Sequence, residues 1–122
     1  MIRRMLIDII DDEPHVREVL AEIIEILGYE SRQFSSGDAY LTFVLEAGYQ
    51  PPSVMISDVR MPGMDGYSLM RRVHALYPAI QIIIVTGYHE VKDKCADVPH
   101  EFMRKPFNPE VLEATLEAFN KG

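Results

Sequence analysis

The chain has 122 residues, of which 48% are hydrophobic and 25% charged, with 19 acidic and 12 basic side chains. That size and composition predict one soluble globular domain, residues 1–122, and the net charge of −7 argues against nucleic-acid contact, because phosphate-binding domains concentrate Lys and Arg. The single cysteine excludes an internal disulfide. Without a signal peptide or an apolar run of about 18 residues, we expect a cytoplasmic protein that makes no membrane contact.

Strand-like and helix-like patterns alternate along the chain, as in βαβ units around a parallel sheet. Pro14 fits the first position of a helix that ends at Gly28. The following strand, Glu30–Phe34, is polar enough to be an edge strand. Ser35 or Ser36 can cap a second helix. This helix is predicted to bury Leu41, Val44 and Leu45.

The second half of the chain continues the alternation. Asp65 is placed to cap a third helix, and the run Ile80–Val85 is apolar enough to be covered on both faces. Asn108 and Pro109 open the last helix. The third helix is predicted to bury Leu69, Met70, Val73 and Leu76. The segment Gly87–Pro99 has only a weak helical pattern and is predicted to be short or irregular.

Four apolar runs each stop at a polar residue: Asp11 and Asp12, then Asp58, Thr86 and Lys105. If the runs are parallel strands, these residues share the carboxyl edge of the sheet, where open α/β folds bind ligands. Two carboxylates about 5 Å apart repel by about 3 kcal/mol at an effective dielectric of 20. Three acids together therefore favour binding of a small hard cation such as Mg²⁺.

Each of these residues alone has an ordinary explanation. Adjacent acids after a strand often form a solvated turn, Thr86 could be a β-branched strand residue, and Lys105 could be a solvated lysine before a turn. Their joint occurrence favours a phosphoryl site. An acyl phosphate on a carboxylate needs partners for its oxygens, and Mg²⁺, a hydroxyl and an ammonium group supply them.

The motifs Asp11-Asp12-Glu13, Ser57–Gly66, Thr86-Gly87 and Lys105-Pro106-Phe107 together resemble the full signature of the response-regulator receiver domain of two-component signalling. The match covers essentially the whole chain in order. The resemblance implies a flavodoxin-like α/β fold, doubly wound, with a five-stranded parallel sheet in the order 2-1-3-4-5 and helices on both faces. It also implies a cis peptide bond between Lys105 and Pro106.

The resemblance also implies a role for each site residue. Asp58 is the phosphoacceptor, and Asp12 is a direct Mg²⁺ ligand. Asp11 holds the metal mainly through water, and the backbone carbonyl of Arg60 completes the protein ligands. The phosphoryl donor would be a phosphohistidine on a sensor histidine kinase or a histidine phosphotransfer protein, and the domain would slowly hydrolyse its own aspartyl phosphate.

Further positions bear on switching. In the family, Thr86 moves to the phosphoryl group and the aromatic residue at position 102 swings inward, although Phe102 could be an ordinary core residue. Arg60 and Tyr88 are bulky neighbours of the site that could shield the phosphoryl group and slow its hydrolysis, unless both point to solvent. A homodimer is possible. Because the interval from Thr86 to Lys105 is shorter than usual, the resemblance does not imply the geometry of such a dimer.

Asp8 is unexpected, because it lies within a strand that the fold buries on both faces. A charged carboxylate there should either meet a cation or bind its proton more tightly. The sequence does not identify the partner. Displacement of the start of the strand toward solvent is the alternative.

Two other classes of function compete with the receiver. One is an interaction module that keeps the fold but signals without phosphate, which would have no need of the acid, threonine and lysine set. The other is a hydrolase with an aspartyl-phosphate intermediate. Such enzymes generally place a second acid two residues after the nucleophile, and that position is Arg60 here.

Overall fold

A computed structural model of the protein describes residues 4–87 and 97–121. Its strands are β1 (Leu6–Ile10), β2 (Glu30–Phe34), β3 (Val54–Asp58), β4 (Gln81–Thr86) and β5 (Glu101–Arg104). All neighbouring strands are parallel, and they form one sheet in the order β2-β1-β3-β4-β5. The predicted sheet and its strand order are therefore confirmed.

The helices in the described ranges are α1 (Pro14–Ile26), α2 (Gly37–Val44), α3 (Gly66–Leu76) and α4 (Pro109–Lys121). They cover both faces of the sheet, because buried side chains of α1 and α4 pack in one apolar cluster and those of α2 and α3 in another. None of these helices combines the length and hydrophobicity needed to span a bilayer.

The helix ends follow the predicted chemistry. Pro14 occupies the first helical position of α1, and Gly28 follows that helix with a φ of 93°. Ser36 Oγ and Asp65 Oδ1 accept backbone N–H bonds at the starts of α2 and α3, at 3.0 and 2.8 Å. Asn108 Oδ1 accepts the amide of Glu110 at 2.9 Å at the start of α4. The polar residues predicted as caps therefore satisfy backbone N–H groups that have no partner within their own helix.

Two predicted core residues are exposed instead. Leu45 is 66% exposed and Leu76 is 49% exposed. Helix α2 ends at Val44, and the buried pair four residues apart is Tyr40 and Val44, so Leu45 falls beyond the inward face. At the end of α3, Tyr77 packs against an aromatic neighbour and Leu76 turns outward. Most of the segment Gly87–Pro99, which was predicted to be short or irregular, lies outside the described ranges, namely residues 88–96.

Asp8 is fully buried, so displacement of the strand toward solvent is wrong, and the expected cation is Arg32. The two residues are paired in the register of β1 and β2. Arg32 donates from Nε to Asp8 Oδ1 at 2.7 Å and from Nη2 to Oδ2 at 2.8 Å, and the Tyr40 hydroxyl donates to Oδ2 at 2.7 Å. The Tyr40 hydroxyl also lies 3.1 Å from the Tyr49 hydroxyl. Side chains from β1, β2, α2 and the segment before β3 are therefore joined around the Asp8 carboxylate.

Aromatic rings enclose the guanidinium of Arg32. Its Cζ lies 4.9 Å from the ring centre of Phe43 and 5.9 Å from that of Tyr49. The hydrogen bond to Asp8 raises the pKa of Arg32, and burial raises the pKa of Tyr40, so the first remains a cation and the second a hydrogen-bond donor. Asp8 and Arg32 thus form an ion pair with a buried carboxylate and a partly buried guanidinium, and we call this pair with the two tyrosine hydroxyls the Asp8 network.

Breaking the Asp8 network from one side should destabilise the fold. We expect Arg32→Met to lower the free energy of unfolding by about 3 kcal/mol, because it leaves the Asp8 carboxylate buried without its cation. The double variant Asp8→Leu, Arg32→Met should lose less than Arg32→Met alone, since no charge remains. Urea denaturation measures both. Arg72→Met, at an exposed position of α3, is the control, and an Arg32→Met midpoint equal to that control would contradict the prediction.

Candidate functional site

The structure brings the predicted site residues together at the carboxyl edge of the sheet. Asp11 and Asp12 directly follow β1, Asp58 ends β3, Thr86 ends β4 and Lys105 follows β5. One carboxylate oxygen from each of the three aspartates lies within 4.8 Å of the others. Asp11 and Asp58 are buried, whereas Asp12 is exposed.

Lys105 connects the acids. Its Nζ lies 3.0 Å from Asp11 Oδ2 and 3.3 Å from Asp58 Oδ2. Burial by itself lowers the pKa of Lys105, but the hydrogen bonds and negative charges of the two aspartates outweigh it and the net shift is upward. The backbone amide of Lys105 donates to the carbonyl of Thr86 at 2.8 Å, and the Lys105–Pro106 peptide is cis, as expected. The ammonium group is therefore a fixed cation inside the acidic cluster.

Both carboxylate oxygens of Asp11 already have protein donors. Oδ1 accepts the Glu13 amide at 2.9 Å, and Oδ2 accepts Lys105. The carbonyl of Asp11 accepts Nη1 of Arg17, on α1, at 2.7 Å. This arrangement favours contact with a metal through water rather than directly. Neither the spacing of Arg17 nor its residue type predicts a bond to a carbonyl six positions earlier, so this contact could not be identified from the sequence.

Asp58 is one of the two buried acids of the site, with 7% of its surface exposed. Its Oδ1 accepts the Val59 amide at 2.9 Å. Its pKa is raised to about 6, mainly by burial and then by the charge of Asp11, while Lys105 acts in the opposite direction. At pH 7 most of the Asp58 carboxylate is therefore ionised and available as a nucleophile, although it stays easier to protonate than a surface aspartate.

Thr86 is almost completely buried, and its Oγ1 donates to the carbonyl of Gly87 at 3.3 Å. Phe102 on β5 is partly buried and packs against the apolar cluster on the α2 and α3 side. Arg60 is exposed, and the metal-ligand role of its carbonyl stays a prediction. Tyr88 lies outside the described residues.

The turn after Asp58 depends on a glycine that the sequence analysis treated only as part of a motif. The amide of Gly66 donates to the Val59 carbonyl at 2.9 Å. A Cβ at position 66 would overlap the backbone carbonyl of Asp58. Any larger residue would therefore displace the backbone of Asp58 or the start of α3. The sequence signal for this turn was a helix-capping residue followed by glycine, Asp65-Gly66. Asp65 caps α3, and Gly66 lies against the Asp58 carbonyl.

Three carboxylates and a lysine at the carboxyl edge of a 2-1-3-4-5 sheet define the site of a receiver-type signalling domain. A sequence model of the response regulator receiver domain matches residues 7–117, and the chain belongs to this family.

Similar proteins agree with this assignment. The chain is 34% identical over 102 residues to the C4-dicarboxylate transport transcriptional regulatory protein DctD of Rhizobium meliloti. This match covers 81% of the chain but only 22% of DctD, so the chain spans less than a quarter of that relative. A receiver domain protein of Clostridium thermocellum, 25% identical, superposes with a TM-score of 0.84 over 96% of this chain and 94% of that one.

A second solved structure is the response regulator TrrA of Thermotoga maritima in complex with Mg²⁺-BeF. It is 27% identical, with a TM-score of 0.81 over 94% of this chain and 98% of that one. The superposition extends through nearly the whole of both chains. The fold that carries the acidic cluster here is therefore the fold of that protein.

The raised pKa of Asp58 predicts a pH-dependent stability difference. The folded protein binds this proton more tightly than the unfolded chain, so the contribution to stability is complete below pH 3.8 and is lost as the pH rises through about 6. In metal-free buffer at pH 8, Asp58→Asn should therefore be more stable than wild type by about 1 to 2 kcal/mol, and the difference should vanish near pH 4.

Urea denaturation at pH 4, 6 and 8 measures this difference. Glu22→Gln, an acid-to-amide change at an exposed position of α1, is the control and should show no such pH dependence. A stability difference between Asp58→Asn and wild type that stays constant from pH 4 to 8 would contradict the prediction.

Proposed function

We propose that this receiver domain is a phosphoacceptor switch in which Asp58 takes a phosphoryl group from a phosphohistidine. The donor would be a sensor histidine kinase or a histidine phosphotransfer protein in the cytoplasm. The observation that carries the proposal is Lys105 Nζ lying between Asp11 and Asp58, inside a cluster of three carboxylates. A partly buried cation in that position can hold an incoming phosphoryl oxygen next to the nucleophile.

The same residues fit a magnesium ion. The donor set is made of carboxylate oxygens within 4.8 Å of one another, which suits a small hard cation that retains several waters. Asp12 and Asp58 would bind it directly, Asp11 mainly through water because its oxygens are engaged, and the Arg60 carbonyl would complete the protein ligands. Bound Mg²⁺ would supply positive charge to the phosphoryl oxygens. The Mg²⁺-BeF complex of TrrA supports this assignment.

The transfer itself needs little from the protein beyond position and charge. An ionised oxygen of Asp58 attacks phosphorus, and the bond between phosphorus and the histidine nitrogen breaks as the new bond forms. Lys105 then contacts one phosphoryl oxygen. Thr86 exchanges its present bond to the Gly87 carbonyl for a second phosphoryl oxygen, and Phe102 moves inward behind it, which alters the surface around β4 and β5.

Two features disfavour the competing functions. An interaction module that ignores phosphate would have no use for a carboxylate whose pKa is raised by its burial and by the charge of Asp11. A hydrolase of small phosphate esters would need an acid two residues after Asp58, and Arg60 occupies that position. We propose that the altered surface is read by a downstream partner or by a second copy of the chain.

Phosphorylation can be tested with a small donor. Incubation with Mg²⁺ and acetyl phosphate should add one phosphoryl group, detected by intact mass, and Asp58→Asn should add none. Asp65→Asn is the matched acid-to-amide control, because asparagine caps a helix as well as aspartate does and the residue lies seven positions from the nucleophile. Equal labelling of wild type and Asp58→Asn would contradict the proposal.

Slow hydrolysis is a second prediction of the switch. If the side chains of Arg60 and Tyr88 shield the phosphoryl group from water, the double variant Arg60→Ala, Tyr88→Ala should lose phosphate several-fold faster than wild type. Intact mass at intervals after removal of acetyl phosphate measures the rate. Arg72→Ala, on the exposed face of α3, is the control for loss of one positive charge. Equal rates in wild type and double variant would exclude shielding.

A further inference from the structure

Arg17 contacts the site through a backbone carbonyl rather than through one of the three carboxylates of the acidic cluster. It lies in the first turns of α1 and is partly buried, and its Nη1 donates to the backbone carbonyl of Asp11 at 2.7 Å. We propose that Arg17 is a positioning residue, which sets the direction of Asp12 and so the affinity of the acidic cluster for Mg²⁺. This inference rests on the proposed function and adds a residue to it.

The planarity of the peptide bond carries the argument. The carbonyl of Asp11 and the amide nitrogen and Cα of Asp12 lie in one rigid plane, so a bond to that oxygen restrains the Cα from which the Asp12 side chain extends. Asp12 is exposed, so packing does little to hold its side chain. The orientation of this acid therefore depends on the backbone that Arg17 holds.

The remaining contacts of Asp11 restrain the other side of the same turn. The Asp11 amide donates to the Phe34 carbonyl at 3.2 Å, and its Oδ1 accepts the amide of Glu13 at 2.9 Å. The bond from Arg17 is thus what restrains the carbonyl of the peptide that joins Asp11 to Asp12. Without Arg17, the Asp11–Asp12 peptide plane would lose this restraint, and the exposed Asp12 side chain extends from that peptide.

The position of the guanidinium also suits the electrostatics. Its bond to the Asp11 carbonyl places the positive charge of the arginine next to the Asp11–Asp12 peptide. Because it binds a carbonyl rather than a carboxylate, it does not occupy an oxygen that a cation needs. Partners that orient ligands in this way typically change metal affinity by about 10-fold to 100-fold when removed.

The test compares Mg²⁺ binding to wild type, Arg17→Met, Arg17→Lys and Arg4→Met by isothermal titration calorimetry. Arg4 is the matched control, because its Nε donates to the Gly28 carbonyl at 3.2 Å, at the other end of β1, and its loss changes the net charge equally. We expect a dissociation constant about 10-fold weaker for Arg17→Met and no change for Arg4→Met. Arg17→Lys should also be weaker than wild type, because lysine Nζ is one bond closer to the backbone than the Nη1 atom that reaches the Asp11 carbonyl.

A second readout needs no metal. Amide hydrogen exchange at Asp12 and Glu13 should be faster in metal-free Arg17→Met than in wild type, at equal global stability. Unchanged exchange and unchanged Mg²⁺ affinity in Arg17→Met would overturn the inference. A weaker Mg²⁺ affinity with unchanged exchange would also overturn it, because loss of a positive charge by itself alters affinity without freeing the backbone. Failure of wild type to bind Mg²⁺ would overturn the proposed function, while the exchange comparison would still decide the role of Arg17. If Arg17→Met does not fold, Arg17→Gln serves in its place.

Discussion

The ammonium group of Lys105 lies 3.0 Å from one carboxylate and 3.3 Å from another, and these two acids come from strands that are far apart in the sequence. Without a cation between them, Asp11 and Asp58 would repel each other in a setting where water screens little of the charge. Because Lys105 follows β5, its contacts also fix the last strand relative to β1 and β3. The same contacts of Lys105 therefore balance the charge of the site and hold the end of β5 near the ends of β1 and β3.

That balance is incomplete, and the remaining imbalance of charge supports the role proposed for Asp58. The pKa of Asp58 is still raised to about 6, because burial and the charge of Asp11 exceed the effect of Lys105. A carboxylate with this environment is ionised at neutral pH but more basic than a surface aspartate. It is also stabilised by additional positive charge, whether from a metal ion or from hydrogen-bond donors around a phosphoryl group.

Much of this arrangement could be predicted from the sequence, because its determinants are local. Apolar runs marked the strands, and Pro14, Ser36, Asp65 and Asn108 marked helix starts, since caps and fixed backbone angles act within a few residues. The convergence of the acids with Lys105 followed from one rule, that parallel strands end at a common edge.

The features that sequence reasoning missed depend on contacts across the fold. Leu45 and Leu76 lie at helix ends, where the last turn decides which side faces inward, and periodicity does not locate that turn to a single residue. The partner of Asp8 required the β1–β2 register, and the bond from Arg17 required the path of α1 past the Asp11 carbonyl. Such contacts are set by three-dimensional packing rather than by spacing along the chain.

The Asp8 network restricts how this domain can be recombined with others. Its carboxylate is on β1, its guanidinium on β2, one hydroxyl on α2 and another in the segment that leads to β3. A chimaera that exchanged β1 alone would place an apolar partner against Arg32 or a lone carboxylate in a foreign core. A crossover that preserves the fold would have to transplant the first half of the chain, through Tyr49, as one piece.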